Sequence, residues 1–234
     1  MTTEAQVKAI TVVVPGLNEE KLVAKTVGEL LGIARSELDD FQFILVDDGS
    51  TDATWPLMQQ LALLDSRIEL VHHDQPKGLS HAFRLGLERA RFPSFTLIPS
   101  DRAFEPDGLR TLFAAAGKAE LVVSYRTNQK QARSPLRYIL NRLYKAIMTR
   151  LFNLRLIDIH SLNLYPTGRV RELDIQADGV AFQLECLVKL FLHNISVIEV
   201  PIALTPQRQG HARTVSLRTL MALFDVVIRL LLRR

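Results

Sequence analysis

Apolar residues in the first half of this chain come in short continuous runs. Residues 10–15 (Ile-Thr-Val-Val-Val-Pro), 41–46 (Phe-Gln-Phe-Ile-Leu-Val), 67–72, 94–99 and 119–124 are rich in β-branched and aromatic side chains and too short for core helices. They are read as strands. Between them, apolar residues recur at helical spacing over about 19–34, 52–65, 79–90 and 106–117. The last of these opens with Pro106, a favourable first-turn residue. Asn18 is read as the N-cap of the first helix, with Glu19 and Glu20 complementing its positive end. Ser50, Thr51 and Asp52 offer caps for the second. Strand and helix alternating with short connections predict an α/β fold: a mainly parallel, doubly wound central sheet flanked by helices.

After Arg126 the pattern changes. From Pro135 to about 153, Leu136, Ile139, Leu140, Leu143, Tyr144, Ile147, Met148, Leu151 and Phe152 form an unbroken helical stripe. The other face carries Arg137, Asn141, Arg142, Lys145 and Arg150. Such a helix packs on the domain or lies on a membrane with its cations at the headgroups, and both readings stand at this stage. Strands are expected at 162–165 and 195–204, the second near a sheet edge because of Pro201, with a helix at 180–193. The tail, 216–234, reads as a second amphipathic helix interrupted by Arg218, Asp225 and Arg229. It suits an interfacial helix, a partner-binding helix or the stump of a longer anchor. The expected division is therefore one domain over 1–213 followed by a C-terminal amphipathic helix over 214–234.

Composition adds bounds. At 234 residues, 47% apolar and 23% charged, the chain has an ordinary globular balance and can bury a full core. The net charge of +4 is unevenly placed: residues 126–155 hold eight arginines and lysines and no acid. A field of that sign suits phosphate, nucleotide, nucleic acid or anionic lipid. The single cysteine, Cys186, excludes an intramolecular disulfide and a thiolate zinc cluster, and points to a reducing compartment. The N-terminal residues lack the basic and apolar regions of a signal peptide, and no uncharged apolar run reaches about 18 residues, so no membrane span is expected.

The ends of the first, second and fourth strands bring polar chemistry: Pro15-Gly-Leu-Asn-Glu19, Asp47-Asp48-Gly-Ser and Pro99-Ser-Asp101. Open α/β sheets bind ligands outside such strand ends, although acids there also serve as plain loop caps. Together with Pro76-Lys-Gly-Leu79, Ser124-Tyr-Arg126, Asp158 with Ser161, Phe182-Gln-Leu-Glu185, Val200-Pro-Ile202 and Arg208-Gln-Gly210, these motifs run in order over roughly 10–213. In that ordered set the chain resembles glycosyltransferase family 2, the inverting enzymes with the Rossmann-like GT-A fold. Within the family it is most similar to the dolichyl- or polyprenyl-phosphate sugar synthases.

The resemblance implies a nucleoside-diphosphate sugar as donor and a polyprenyl phosphate, or another lipid, as acceptor; transfer to a hydroxyl of a glycan or lipid, and a non-catalytic nucleotide-sugar-binding protein, are the alternative readings. It places Pro15, Leu17 and Glu19 at the base and ribose, with Asp47, Asp48 and Gly78 in the same donor set and Asp48 accepting a hydrogen bond from the base. Leu17 stands where many relatives carry an aromatic residue, so the contact here is aliphatic. Asp101 is the surviving acid of an Asp-x-Asp motif and the expected holder of Mg²⁺ or Mn²⁺, with Arg102 in part offsetting the missing acid. Arg126, Arg208 and Arg213 are expected at the donor diphosphate, and Asp158, Ser161 and Gln183 around the acceptor. Asp101, Arg126 and Glu185 form the expected catalytic set, with Glu185 read either as a base or as a satisfied structural acid. Cys186 is read as core. A peripheral enzyme at the cytoplasmic face of a membrane follows, with no nucleic-acid partner; a membrane-protein partner or a homo-oligomer is left open.

Overall fold

The structure, a computed structural model, describes residues 7–128, 135–179, 181–206 and 225–231. Seven strands form its sheet: β1 (Ala9–Gly16), β2 (Asp40–Asp47), β3 (Ile68–His72), β4 (Ser94–Leu97), β5 (Leu121–Arg126), β6 (Asn163–Pro166) and β7 (Val197–Ile202). The helices are α1 (Val23–Glu37), α2 (Thr54–Ala62), α3 (Leu79–Arg89), α4 (Pro106–Ala114), α5 (Pro135–Phe152), α6 (Thr167–Arg171) and α7 (Ala181–Leu192); residues 225–231 are also helical. The sheet order is β3-β2-β1-β4-β6-β5-β7. All pairs are parallel except those of β6, which runs antiparallel between β4 and β5. The expected α/β sheet is therefore mainly parallel, with one reversed strand that periodicity could not reveal. β7 lies at the edge, where the missing N–H of Pro201 costs no ladder bond.

All eight residues of β1 are buried, as a central parallel strand with helices on both faces requires. The pleat sends Ile10, Val12 and Val14 to one core, with side chains of α1, α2 and α4, and Val13 to the other, with side chains of α3, α5 and α7. Met148 and Phe152 from the end of α5, and Val226 and Leu230 from the 225–231 helix, join this second core. So the described part of the tail packs on the body, as do the last turns of α5. Ile147, Ile228 and Leu231 face outward. The remaining stripe positions, Leu136, Ile139, Leu140, Leu143 and Tyr144, lie outside the described side chains. Among the described residues no helix is long and apolar enough to cross a membrane.

Candidate active site

The strand order places a crevice. β1 is followed in the chain by β2 on one side, while β4 lies on its other side, so the order reverses between β1 and β4, where open α/β sheets take ligands. Backbone bonds fix the three strand ends that meet there. Asp48 N–H donates to Gly16 O at 2.9 Å, and Ser100 N–H to Pro15 O at 3.0 Å. Pro15, Asp48 and Asp101 are thereby brought onto adjacent strand ends. Pro15 is buried and Leu17 and Glu19 half-buried on the turn above it.

That turn is stitched to the β2–α2 loop. Asn18 adopts φ 55° and accepts the Thr51 N–H at 2.8 Å on Oδ1, while its own N–H reaches Ser50 Oγ at 3.0 Å. The expectation of Asn18 as the α1 cap is thus corrected: α1 begins only at Val23, and the side chain is engaged across the crevice instead. Glu19 N–H donates to Thr54 Oγ1 at 2.8 Å, and Glu20 Oε2 accepts the Ala53 N–H at 3.1 Å. Thr54, buried and also bonded to Asp52 at 2.5 Å, is an anchor that sequence reasoning missed.

The paired acids divide their work. Asp47 is fully buried, with Oδ2 2.7 Å from His72 Nδ1 and Oδ1 accepting the Ser50 N–H. Both its oxygens are thus engaged within the protein, where the donor set had been expected. Asp48 accepts the Lys77 N–H at 2.8 Å and the Gly78 N–H at 2.9 Å, with His73 Nδ1 at 3.2 Å. It holds the loop after β3 over the crevice. Gly49 makes this closeness sterically feasible: at φ 82° a Cβ there would stand 2.8 Å from the Gln75 carbonyl carbon. Gly78, at φ 86°, caps α3. Burial first, then the charges of His73, Lys77 and Arg84, hold His81 below the ordinary histidine range against the pull of Asp48.

Asp101 follows β4, half-buried, with Oδ1 accepting the Ala103 N–H at 3.2 Å. The role expected for Arg102 is corrected. Its Nε and NH2 meet Glu29 of α1 at 3.2 and 2.7 Å, so its charge is matched by that carboxylate rather than offered to the crevice. Among the described residues no three His, Cys, Asp or Glu side chains form a group that could hold a metal. One carboxylate beside a diphosphate does fit Mg²⁺ or Mn²⁺, since such ions take phosphate oxygens and keep water ligands.

Beyond β4 the expected residues meet one another. Arg126 grips Asp158 with Nε to Oδ2 at 2.6 Å and NH2 to Oδ1 at 2.8 Å, the side chains only 8% and 5% exposed. Burial alone would raise the Asp158 pKa, but the Arg126 hydrogen bonds and charge, helped by the His160 N–H, bring it below the ordinary carboxylate range. Arg126, expected at the donor diphosphate, is here half of a buried ion pair. Ser161 Oγ lies 2.6 Å from Ser124 Oγ, and Gln183 is half-buried on α7. Glu185 carries the contacts of a structural acid: Oε2 accepts the N–H groups of Gln176 and Ala177 at 3.0 and 2.7 Å, and Oε1 meets Lys189 Nζ at 2.7 Å. Cys186 is buried, and burial pushes its thiol well up, as a core residue requires. Arg208 and Arg213 lie outside the described residues.

Comparison with known proteins bears directly on this crevice. The sequence profile of Glycosyl transferase family 2 matches residues 11–174, which hold β1 to β6. The chain belongs to glycosyl transferase family 2. This family 2 chain is 26% identical to the undecaprenyl-phosphate mannosyltransferase of Micrococcus luteus, over 87% of this chain and 86% of that one. It is likewise 26% identical to the polyprenol monophosphomannose synthase of Mycolicibacterium smegmatis, over 92% and 84%. Among solved structures, the UDP complex of glucosyl-3-phosphoglycerate synthase from Mycobacterium tuberculosis superposes with a TM-score of 0.66 at 21% identity, over 96% of this chain and 79% of that one. The same synthase has been crystallised with Mn²⁺, UDP and phosphoglyceric acid. The GT-A fold and the assignment as a glycosyltransferase stand on these likenesses.

Proposed function

We propose that this glycosyltransferase moves a sugar from a nucleoside-diphosphate donor, with inversion, onto a polyprenyl phosphate at the cytoplasmic face of a membrane. The observation that carries the acceptor class is the engagement of the two expected acceptor-side carboxylates. Asp158 is locked to Arg126 and Glu185 to Lys189 and two backbone N–H groups, so neither is poised to take a proton from a hydroxyl. A phosphate monoester needs no such base, being anionic already. The near full-length likeness to two polyprenyl-phosphate mannosyl transferases supports the same class.

The reaction balances without a proton transfer. A phosphate oxygen of the acceptor forms a bond to the anomeric carbon from the face opposite the leaving group. The bond from that carbon to the diphosphate oxygen breaks, and the nucleoside diphosphate departs with the electron pair. The stitched turn over β1, with Leu17 and Glu19, takes the base and ribose, while Asp48 keeps the loop of Lys77 and Gly78 closed beside them. Mg²⁺ or Mn²⁺, held by Asp101, would supply positive charge for the departing diphosphate. Arg208 and Arg213 are assigned to the same anion.

Incubating the protein with radiolabelled GDP-mannose or UDP-glucose, undecaprenyl phosphate and Mn²⁺ tests this reading. Expected is a label extractable into organic solvent and absent without the lipid phosphate. Transfer only to hydroxyl acceptors would reject the acceptor class, and no transfer from any nucleotide sugar would reject the reading as a whole.

A further inference from the structure

The loop that carries Asp101 is held from two sides by residues that no motif marks. Arg102 takes the left-handed conformation at φ 49°, which an arginine rarely adopts unless its surroundings impose it. On one side its guanidinium forms a fork on Glu29 of α1, both side chains largely covered. On the other, its carbonyl accepts the buried Thr205 hydroxyl at 2.8 Å, and the Thr205 N–H donates to Ala103 O at 3.1 Å. Phe104 pairs with Leu204 as an antiparallel bridge, and Glu105 N–H bonds Ala203 O at 2.9 Å. The same short ladder thus ties the turn after Asp101 to residues 203–205.

We propose that Glu29, Arg102 and Thr205 are positioning residues: together they set the carboxylate of Asp101 against a metal-bound diphosphate. This rests on the proposed function. The left-handed turn at Arg102 follows directly on Asp101, and the Glu29 fork and the Thr205 bond hold that turn from its two sides. Neither Glu29 nor Arg102 touches the ligand. They act through Asp101, and loosening them lowers affinity for the metal–diphosphate pair while the base end of the crevice, held by Asn18, Thr51 and Asp48, keeps its grip.

Calorimetric titration of UDP and GDP, in Mn²⁺ and in EDTA, with Glu29→Gln, Arg102→Gly and the reversed pair Glu29→Arg with Arg102→Glu, tests the clamp. Arg102→Gly relieves the backbone strain, so it tests the fork without unfolding the loop, and Glu29→Gln keeps the shape of its side chain. Expected for both single variants is a roughly tenfold loss of the Mn²⁺-dependent gain in affinity, with EDTA affinity within about twofold of the wild type. The reversed pair should recover most of the gain, and amide exchange should quicken at 101–105 but not at 18–20. An undiminished gain in both single variants overturns the clamp, as does an equal fall with and without Mn²⁺. If the wild type binds neither nucleotide, the functional reading itself fails and the clamp with it.

Discussion

The two halves of the sheet use similar polar residues for different ends. Around β1, β2 and β4, side chains at the strand ends bind backbone groups of the neighbouring loop. Asn18 holds Thr51, Glu20 holds Ala53, and Asp48 holds Lys77 and Gly78. Around β5 and β6, side chains pair with each other: Arg126 with Asp158 and Ser124 with Ser161. The first arrangement shapes loops and leaves the ligand to be met by the crevice they frame. The second neutralises charge internally, and suits a wall against which an already charged acceptor is placed.

Removing one partner of a buried pair should have the largest effect. Asp158→Asn strands the Arg126 guanidinium, and about 3 kcal/mol of folding stability should be lost in urea titration. A stable but inactive Asp158→Asn would break the comparison, giving Asp158 the ligand-facing role proposed for Asp101. The pair also carries a pH signature. Because Asp158 is more acidic folded than unfolded, its contribution is complete above the unfolded carboxylate range and fades as pH falls through the folded value. The wild type should therefore lose stability below about pH 4 more steeply than Asp158→Asn, measured by thermal unfolding across pH.

Next in size is the tail. Leu230 is 6% exposed in the core that Met148 and Phe152 share, so Leu230→Ala should cost about 2 kcal/mol in the same titration. A cost near zero would return the tail to the role of a surface-seeking helix. Smaller still in stability is Asp101→Asn, whose side-chain oxygen can still accept the Ala103 N–H. A change within about 0.5 kcal/mol is expected, together with loss of the Mn²⁺-dependent part of UDP or GDP affinity. Equal binding with and without Mn²⁺ in both proteins would remove Asp101 as a metal ligand. The least effect belongs to Arg84→Ala: its partner Asp178 is 80% exposed, and such pairs contribute about 0–1 kcal/mol.

Much of the first half is legible in the sequence alone. Runs such as Val12-Val-Val14 and Phe43-Ile-Leu-Val46 admit little but buried strands, and each lies within a residue or two of its expected place. The acids at the ends of β2 and β4 were visible for the same reason, since a carboxylate just past an apolar run stands at a strand end. Their partners were not. Glu29 and Arg102 are 73 positions apart, and Arg126 and Asp158 are 32 apart. Nothing in local spacing distinguishes a carboxylate that meets a ligand from one that meets an arginine.

By itself the sequence determined the alternation of strand and helix, the strand ends that bear acids, and the family, because all three depend on local periodicity and on motifs kept in order. Only the tertiary structure decided that β6 runs backwards between β4 and β5, that Asp47 is enclosed while Asp101 stays half-buried at the crevice, and that Arg126, Glu185 and Arg102 are already paired. Those outcomes depend on which distant segments pack together. Inside a folded chain, a charge is first answered by whichever opposite charge or N–H the packing brings within about 3 Å.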